Sequence, residues 1–69
     1  MKYAVVIEHA GANYSAYVPD LPGCVATGST VEETRERIAE AVTMHLEGMR
    51  EDGETIPPAT TICEYLAVA

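Results

Sequence analysis

Carboxylates near the ends of apolar runs are the first residues in this sequence that could do chemistry. Glu8 closes one such run, Asp20 stands at a Pro-Gly turn, and Glu64 lies in a further run towards the C-terminus. Several carboxylates converging on divalent metal are what a metal-dependent nuclease needs. Two acids, or three with Glu64, scattered along the chain are the ordinary pattern of a solvated surface. His45 falls near the centre of a helical apolar stripe, between Ile38, Val42 and Met49. A general base needs a partner in reach and a cleft, and nothing in the spacing supplies either, so His45 reads as a core or interface histidine. His9, at a strand end beside glycine, reads as surface. Cys24 and Cys63 sit in apolar segments and read as buried free thiols of a reducing compartment, although their spacing leaves one bridge open. No Cys-His cluster has zinc spacing, and Ser15, Ser29 and the thiols have no adjacent base. The residues therefore assign no catalytic group, no metal and no cofactor, and the chain is expected not to be an enzyme.

Recognition is the other chemistry available. Tyr14 and Tyr17 lead directly into Val18-Pro19-Asp20-Leu21-Pro22-Gly23-Cys24. Amphipathic tyrosines beside a proline-stiffened turn lose little entropy on binding, although tyrosines are also ordinary strand residues. Eleven acids against four Lys and Arg give a net charge of −7 over 69 residues. Lys2, Arg35, Arg37 and Arg50 are scattered, whereas phosphate binding needs clustered cations, so direct nucleic-acid binding is not expected. The same excess attracts a basic protein at long range.

Length limits the scaffold. At 69 residues and 48% hydrophobic, the chain is one small domain, too short for a multi-domain enzyme or a dinucleotide-binding fold. A domain of this size buries only roughly 60% of its unfolded surface and commonly gains stability by association. No run approaches the ~20 apolar residues of a membrane span, and no basic-then-apolar leader opens the chain. A soluble, cytoplasmic protein without membrane contact is the expectation.

Strand-like runs occupy 2–9, 14–19 and 24–28, separated by the turns Ala10–Asn13 and Asp20–Gly23. Thr30 and Glu33 have the spacing of a capping box, with Glu33 reaching back to the Thr30 amide. Glu32, Glu33 and Glu36 place negative charge at the positive end of the helix dipole. Val31, Ile38, Val42, Leu46 and Met49 form its apolar stripe. Gly53 ends the helix and Pro57-Pro58 prevent its resumption. A last strand is expected at 61–68. The order is β-β-β-α-β, an α+β fold with a small, mainly antiparallel sheet and one helix on one face. Tyr3, Val5 and Ile7 make one pleat face of the first strand apolar, and Ala4 and Val6 the other. A sheet with one solvated face should read apolar on one side only, so a homo-oligomer is expected.

The run YSAYVPDLPGCVATGSTVEETRERIAEAVTMHLEGMREDGETIP resembles the N-terminal domain of HicB-type antitoxins. The residues that carry the resemblance are Tyr17, Pro19 to Cys24, Thr27-Gly28, the Glu-rich helix start, His45-Leu46-Glu47, Gly53-Glu54 and Ile56-Pro57. It covers roughly residues 3–66. It implies a partial ribonuclease H-like fold in agreement with the element order, and a non-catalytic protein that occludes HicA, a small basic toxin that cleaves mRNA. Ribonuclease activity does not follow from such a fold. Many HicB antitoxins add a C-terminal helix-turn-helix or ribbon-helix-helix domain; this chain reads as a single domain over 1–69 without one. The expected contact residues are Tyr14, Tyr17, Asp20, Leu21 and Pro22, with Glu32, Glu33 and Glu36 in electrostatic support. The alternatives are an oligomeric interaction module without a toxin, and a degenerate nuclease using Glu8, Asp20 and Glu64 with Mg²⁺.

Overall fold

The computed structural model describes residues 2–69. Strand β1 (Val6–Ala10) turns through Gly11-Ala12 into β2 (Asn13–Tyr17), and β3 (Val25–Gly28) follows. The three form an antiparallel sheet in the order β1-β2-β3. Helix α1 (Val31–Glu51) follows and is about 31 Å long at 1.5 Å per residue. The α+β architecture of a small antiparallel sheet with one helix packed on it is therefore present.

The strands are shorter than in the sequence reading: β2 ends at Tyr17 instead of Pro19, β3 starts at Val25 instead of Cys24, and two differences are larger. β1 begins at Val6 instead of Lys2, because the ladder ends where Val6 faces Tyr17. Beyond Tyr17 the chain leaves the sheet, and the Val18 amide bonds to the Cys24 carbonyl at 3.2 Å instead. Residues 2–5 thus have no β2 partner. The expected final strand at 61–68 does not form: residues 54–69 carry no regular structure, and 60–69 are exposed. Strand propensity is met there, but a strand requires a neighbour, and none is paired with it.

Both helix ends are closed by side chain and backbone. The Thr30 hydroxyl accepts from the Glu33 amide at 3.0 Å. The Glu33 carboxylate reaches one residue further back than expected, accepting from the Ser29 amide at 2.9 Å. At the other end the Gly53 amide bonds to the Arg50 carbonyl and the Glu54 amide to the Met49 carbonyl. This Schellman arrangement needs a left-handed residue, and Gly53 supplies it at φ 71°.

The core lies between the helix, β2 and the β2–β3 loop. Ala16, Val18, Leu21, Cys24, Ile38 and Leu46 are its buried apolar members. Inside the loop the Leu21 amide bonds to the Val18 carbonyl and the Cys24 amide to the Leu21 carbonyl, at 3.0 and 3.1 Å. The backbone is thereby satisfied internally while three side chains point inward. Thr34 is also fully buried, its hydroxyl donating to the Thr30 carbonyl at 2.7 Å.

Candidate functional site

Residues in a strand alternate between faces, and the registers place each side chain. Ala16, which pairs with Ile7 and Ala26, is buried beneath α1, so even-numbered β2 residues face the helix. Tyr14 is therefore on the helix side, where its ring lies against His9, tilted by 59° at 4.8 Å between centroids. Tyr17 points the opposite way, flanked by Val6 and Val25 in one cross-strand row on the uncovered face. The two expected contact tyrosines do not share a surface. Their odd spacing, three residues within one strand, already carried that information.

The turn residues divide similarly. Leu21 is completely buried in the core, so it cannot be a partner contact in this structure, whereas Pro22 next to it is exposed. The Asp20 carboxylate is occupied by the C-terminal segment. It accepts from the Thr60 and Thr61 amides at 3.1 and 3.0 Å, and from their hydroxyls at 3.2 and 2.8 Å. The bonds from Thr61, its backbone first, and those from Thr60 hold the Asp20 carboxyl below its ordinary range. A second tie, from the Tyr3 hydroxyl to the Pro57 carbonyl, anchors the same segment.

Glu32 and Glu36 are exposed on α1, as are Glu40 and Glu47. Glu33 serves the helix itself. Its carboxyl is lowered first by the Ser29 amide and then by the Arg37 guanidinium, 3.5 Å away. Arg37 also donates to the Thr27 carbonyl at 3.0 Å, fixing the helix to β3. This is the one ion pair among the described residues, so the other helix carboxylates carry uncompensated charge.

Glu8, Asp20 and Glu64 form no ligand cluster: among the described residues no three His, Cys, Asp or Glu side chains gather where they could hold a metal. His45 is half-buried in a shallow hollow with Pro22, Met49, Asp52, Glu54 and Pro57. Cys24 is buried, its thiol pushed up by desolvation, but Cys63 is exposed, contrary to the expectation of two buried thiols; both are free. No described helix is long and apolar enough to cross a membrane.

A cleft of about 490 Å³ opens beside β1, lined by Val5, Ile7, Tyr14, Val31, Arg35 and Ile38, with Tyr65 at its rim. It exists because α1 crosses β3 and β2 and only grazes β1. Nothing in the sequence reading pointed to it beyond the surplus of apolar residues in the first strand.

Comparison with known proteins gives a consistent set. A family model described as the HicB-like antitoxin of bacterial toxin-antitoxin systems matches residues 3–68. A 14.9 kDa protein of the rep-hol intergenic region of Haemophilus phage HP1 is 39% identical over 66 residues, which are 96% of this chain and 50% of the phage protein. The chain thus spans half the length of that relative. A UPF0150 protein of Archaeoglobus fulgidus is 42% identical over 59 residues, covering 81% of this chain and 86% of the archaeal one. Among solved structures, a chain of the HicA3 and HicB3 toxin-antitoxin complex superposes with a TM-score of 0.73 at 27% identity. The match covers 86% of this chain and 70% of that one.

Proposed function

The chain belongs to the HicB-like antitoxins of bacterial toxin-antitoxin systems, and from that premise we propose that it neutralises a small basic toxin of the HicA kind by covering it. The observation that carries this reading is the row of exposed, unpaired helix carboxylates, Glu32 and Glu36 foremost, on a chain of net charge −7. A cationic surface evolved to hold RNA phosphates is attracted to such a row, which competes for the same charges.

The acidic helix exterior and the Val6-Tyr17-Val25 row lie on opposite sides of a two-layer domain. Of the two, the helix exterior is the toxin-facing one in this reading, since charge complementarity governs encounter with a basic protein. Glu33 and Asp20 support that face indirectly, one by capping α1 and the other by tying down the C-terminal segment. Tyr14 lines the β1 cleft, and Tyr17 and Pro22 stand on surfaces left free for other contacts. The domain acts by occlusion and performs no chemistry on RNA. It works in the cytoplasm, as an association of copies, and does not itself bind nucleic acid.

Co-expression with a small basic HicA-like toxin is the direct test. A soluble complex in which the toxin's RNA cleavage is suppressed, with association slowing as salt rises, is the expected result. Suppression that is indifferent to salt would leave shape alone as the basis of recognition. A purified complex that fails to form would remove the reading altogether.

A further inference from the structure

The C-terminal segment and the β1 edge each lack what the other has. Ile62, Tyr65, Leu66 and Val68 expose 82, 102, 79 and 90% of their surface, which is unfavourable for an apolar run and marks a missing cover. β1 is an edge strand, with backbone groups on its outer side paired to nothing among the described residues, the usual template for strand addition. The Asp20 clamp and the Tyr3–Pro57 bond hold the base of the segment close to the domain, but beyond Thr61 it makes no side-chain hydrogen bond to it. The chain's long axis accordingly reaches 46 Å, against 27 and 16 Å for the others. Tyr65 stands at the rim of the β1 cleft without being buried by it.

We propose that Ile62–Val68 is an exchange arm, laid by each of two copies along the other's β1 edge, with Ile62, Leu66 and Val68, which share one strand face with Glu64, filling the partner's cleft. Seven residues in extended conformation span about 23 Å, enough to run the length of the five-residue β1. Charge selects the same pairing. Arg35 is the one charged residue lining the cleft and has no carboxylate within ion-pair distance among the described residues. Glu64 is the one charged side chain of the arm. Two copies of net charge −7 repel over most of their surfaces, so a Glu64–Arg35 contact is a place where like chains attract. Reciprocal exchange makes the interface self-complementary and closes it at two copies. The inference rests on the association of copies proposed above, but not on the toxin.

The test uses the 69-residue chain. Cys63 is exposed and Cys24 buried, so a nitroxide label attaches at Cys63. The labelled chain is mixed with an isotopically enriched Cys63→Ser copy. Broadening of the Val5–His9 amides in the enriched copy is expected, because only an arm from the other molecule can cause it. Sedimentation should give a dimer whose dissociation constant rises about tenfold or more in Leu66→Lys and not in Val25→Lys on the opposite edge. Arg35→Glu should weaken it and Glu64→Arg restore it in the double variant. A monomer would overturn both the association and the arm. A dimer insensitive to Leu66→Lys, or without broadening in the mixed sample, would overturn the arm and leave association intact. Toxin binding is measured separately and bears on neither result.

Discussion

Gly28 lies against Thr34 so closely that a β-carbon on Gly28 would sit 2.6 Å from the Thr34 hydroxyl and 2.9 Å from its backbone nitrogen. This contact lets the first turn of α1 descend onto β3, and the Thr34 hydroxyl that faces Gly28 donates to the Thr30 carbonyl at 2.7 Å. Any side chain at 28 must push the helix start off the sheet.

Gly28→Ala is accordingly expected to cost about 1–3 kcal/mol, the usual range for overpacking, measured by urea unfolding. Adding Thr34→Ala should recover only part of it, because the close backbone nitrogen remains. A neutral Gly28→Ala would mean that the helix can shift freely on the sheet.

Leu21 and Tyr17 should separate core from surface. Leu21→Ala removes a fully buried side chain and should lose about 2–5 kcal/mol, a large share of the stability of so small a domain. Tyr17→Ala, on the uncovered face, should change stability by about 0.5 kcal/mol or less. Thermal melts of the two variants check this.

The Asp20 clamp titrates in one direction. Its carboxyl is lowered in the folded chain by the Thr61 and Thr60 bonds, so its contribution is fully present above the unfolded carboxylate range and is lost as pH falls through the lower folded value. Hydrogen exchange at the Thr60 and Thr61 amides should therefore stay protected through weakly acidic pH and lose protection only below it. Asp20→Ala should remove that protection at neutral pH while leaving Ala16 and Ile38 protected. Equal protection in variant and parent would show that the clamp does not hold the segment.

Reversing charge on the helix exterior tests whether that surface meets the toxin, as proposed. Glu32→Lys with Glu36→Lys should slow association with the basic partner by about tenfold or more at low salt, with the difference shrinking as salt screens it. Because both side chains are exposed and unpaired, the melting temperature should fall only slightly, through the helix dipole. Surface plasmon resonance over a salt series reads both effects.

What the sequence discloses here depends on whether a signal is local. The Thr30 cap, the Gly53 stop and the three-strand meander rest on neighbours a few residues apart, and each was readable. Leu21 was not, since a Pro-Gly turn reads as surface unless its backbone bonds are known to close internally, as those of Val18, Leu21 and Cys24 do. The final strand failed for a complementary reason: residues 61–68 have the right side chains, but pairing belongs to two segments at once. The shortening of β1 has the same origin, because its length is set by where β2 turns away at Tyr17. For the candidate site, the exposure of Glu32 and Glu36 on α1 follows from their charge, whereas the engagement of Glu33 with Ser29 and Arg37 does not. The separation of Tyr14 from Tyr17 needed only the alternation of strand faces, and the cleft beside β1 required knowing where the helix crosses.

The loop from Val18 to Cys24 turns its most recognisable residues inward, towards the core and the clamp. That loop thus serves the architecture, and in the proposed reading the outside of α1 is what remains to meet the partner. Exposed helix positions such as Glu32 and Glu36 can therefore be rewritten at little cost to the scaffold beneath.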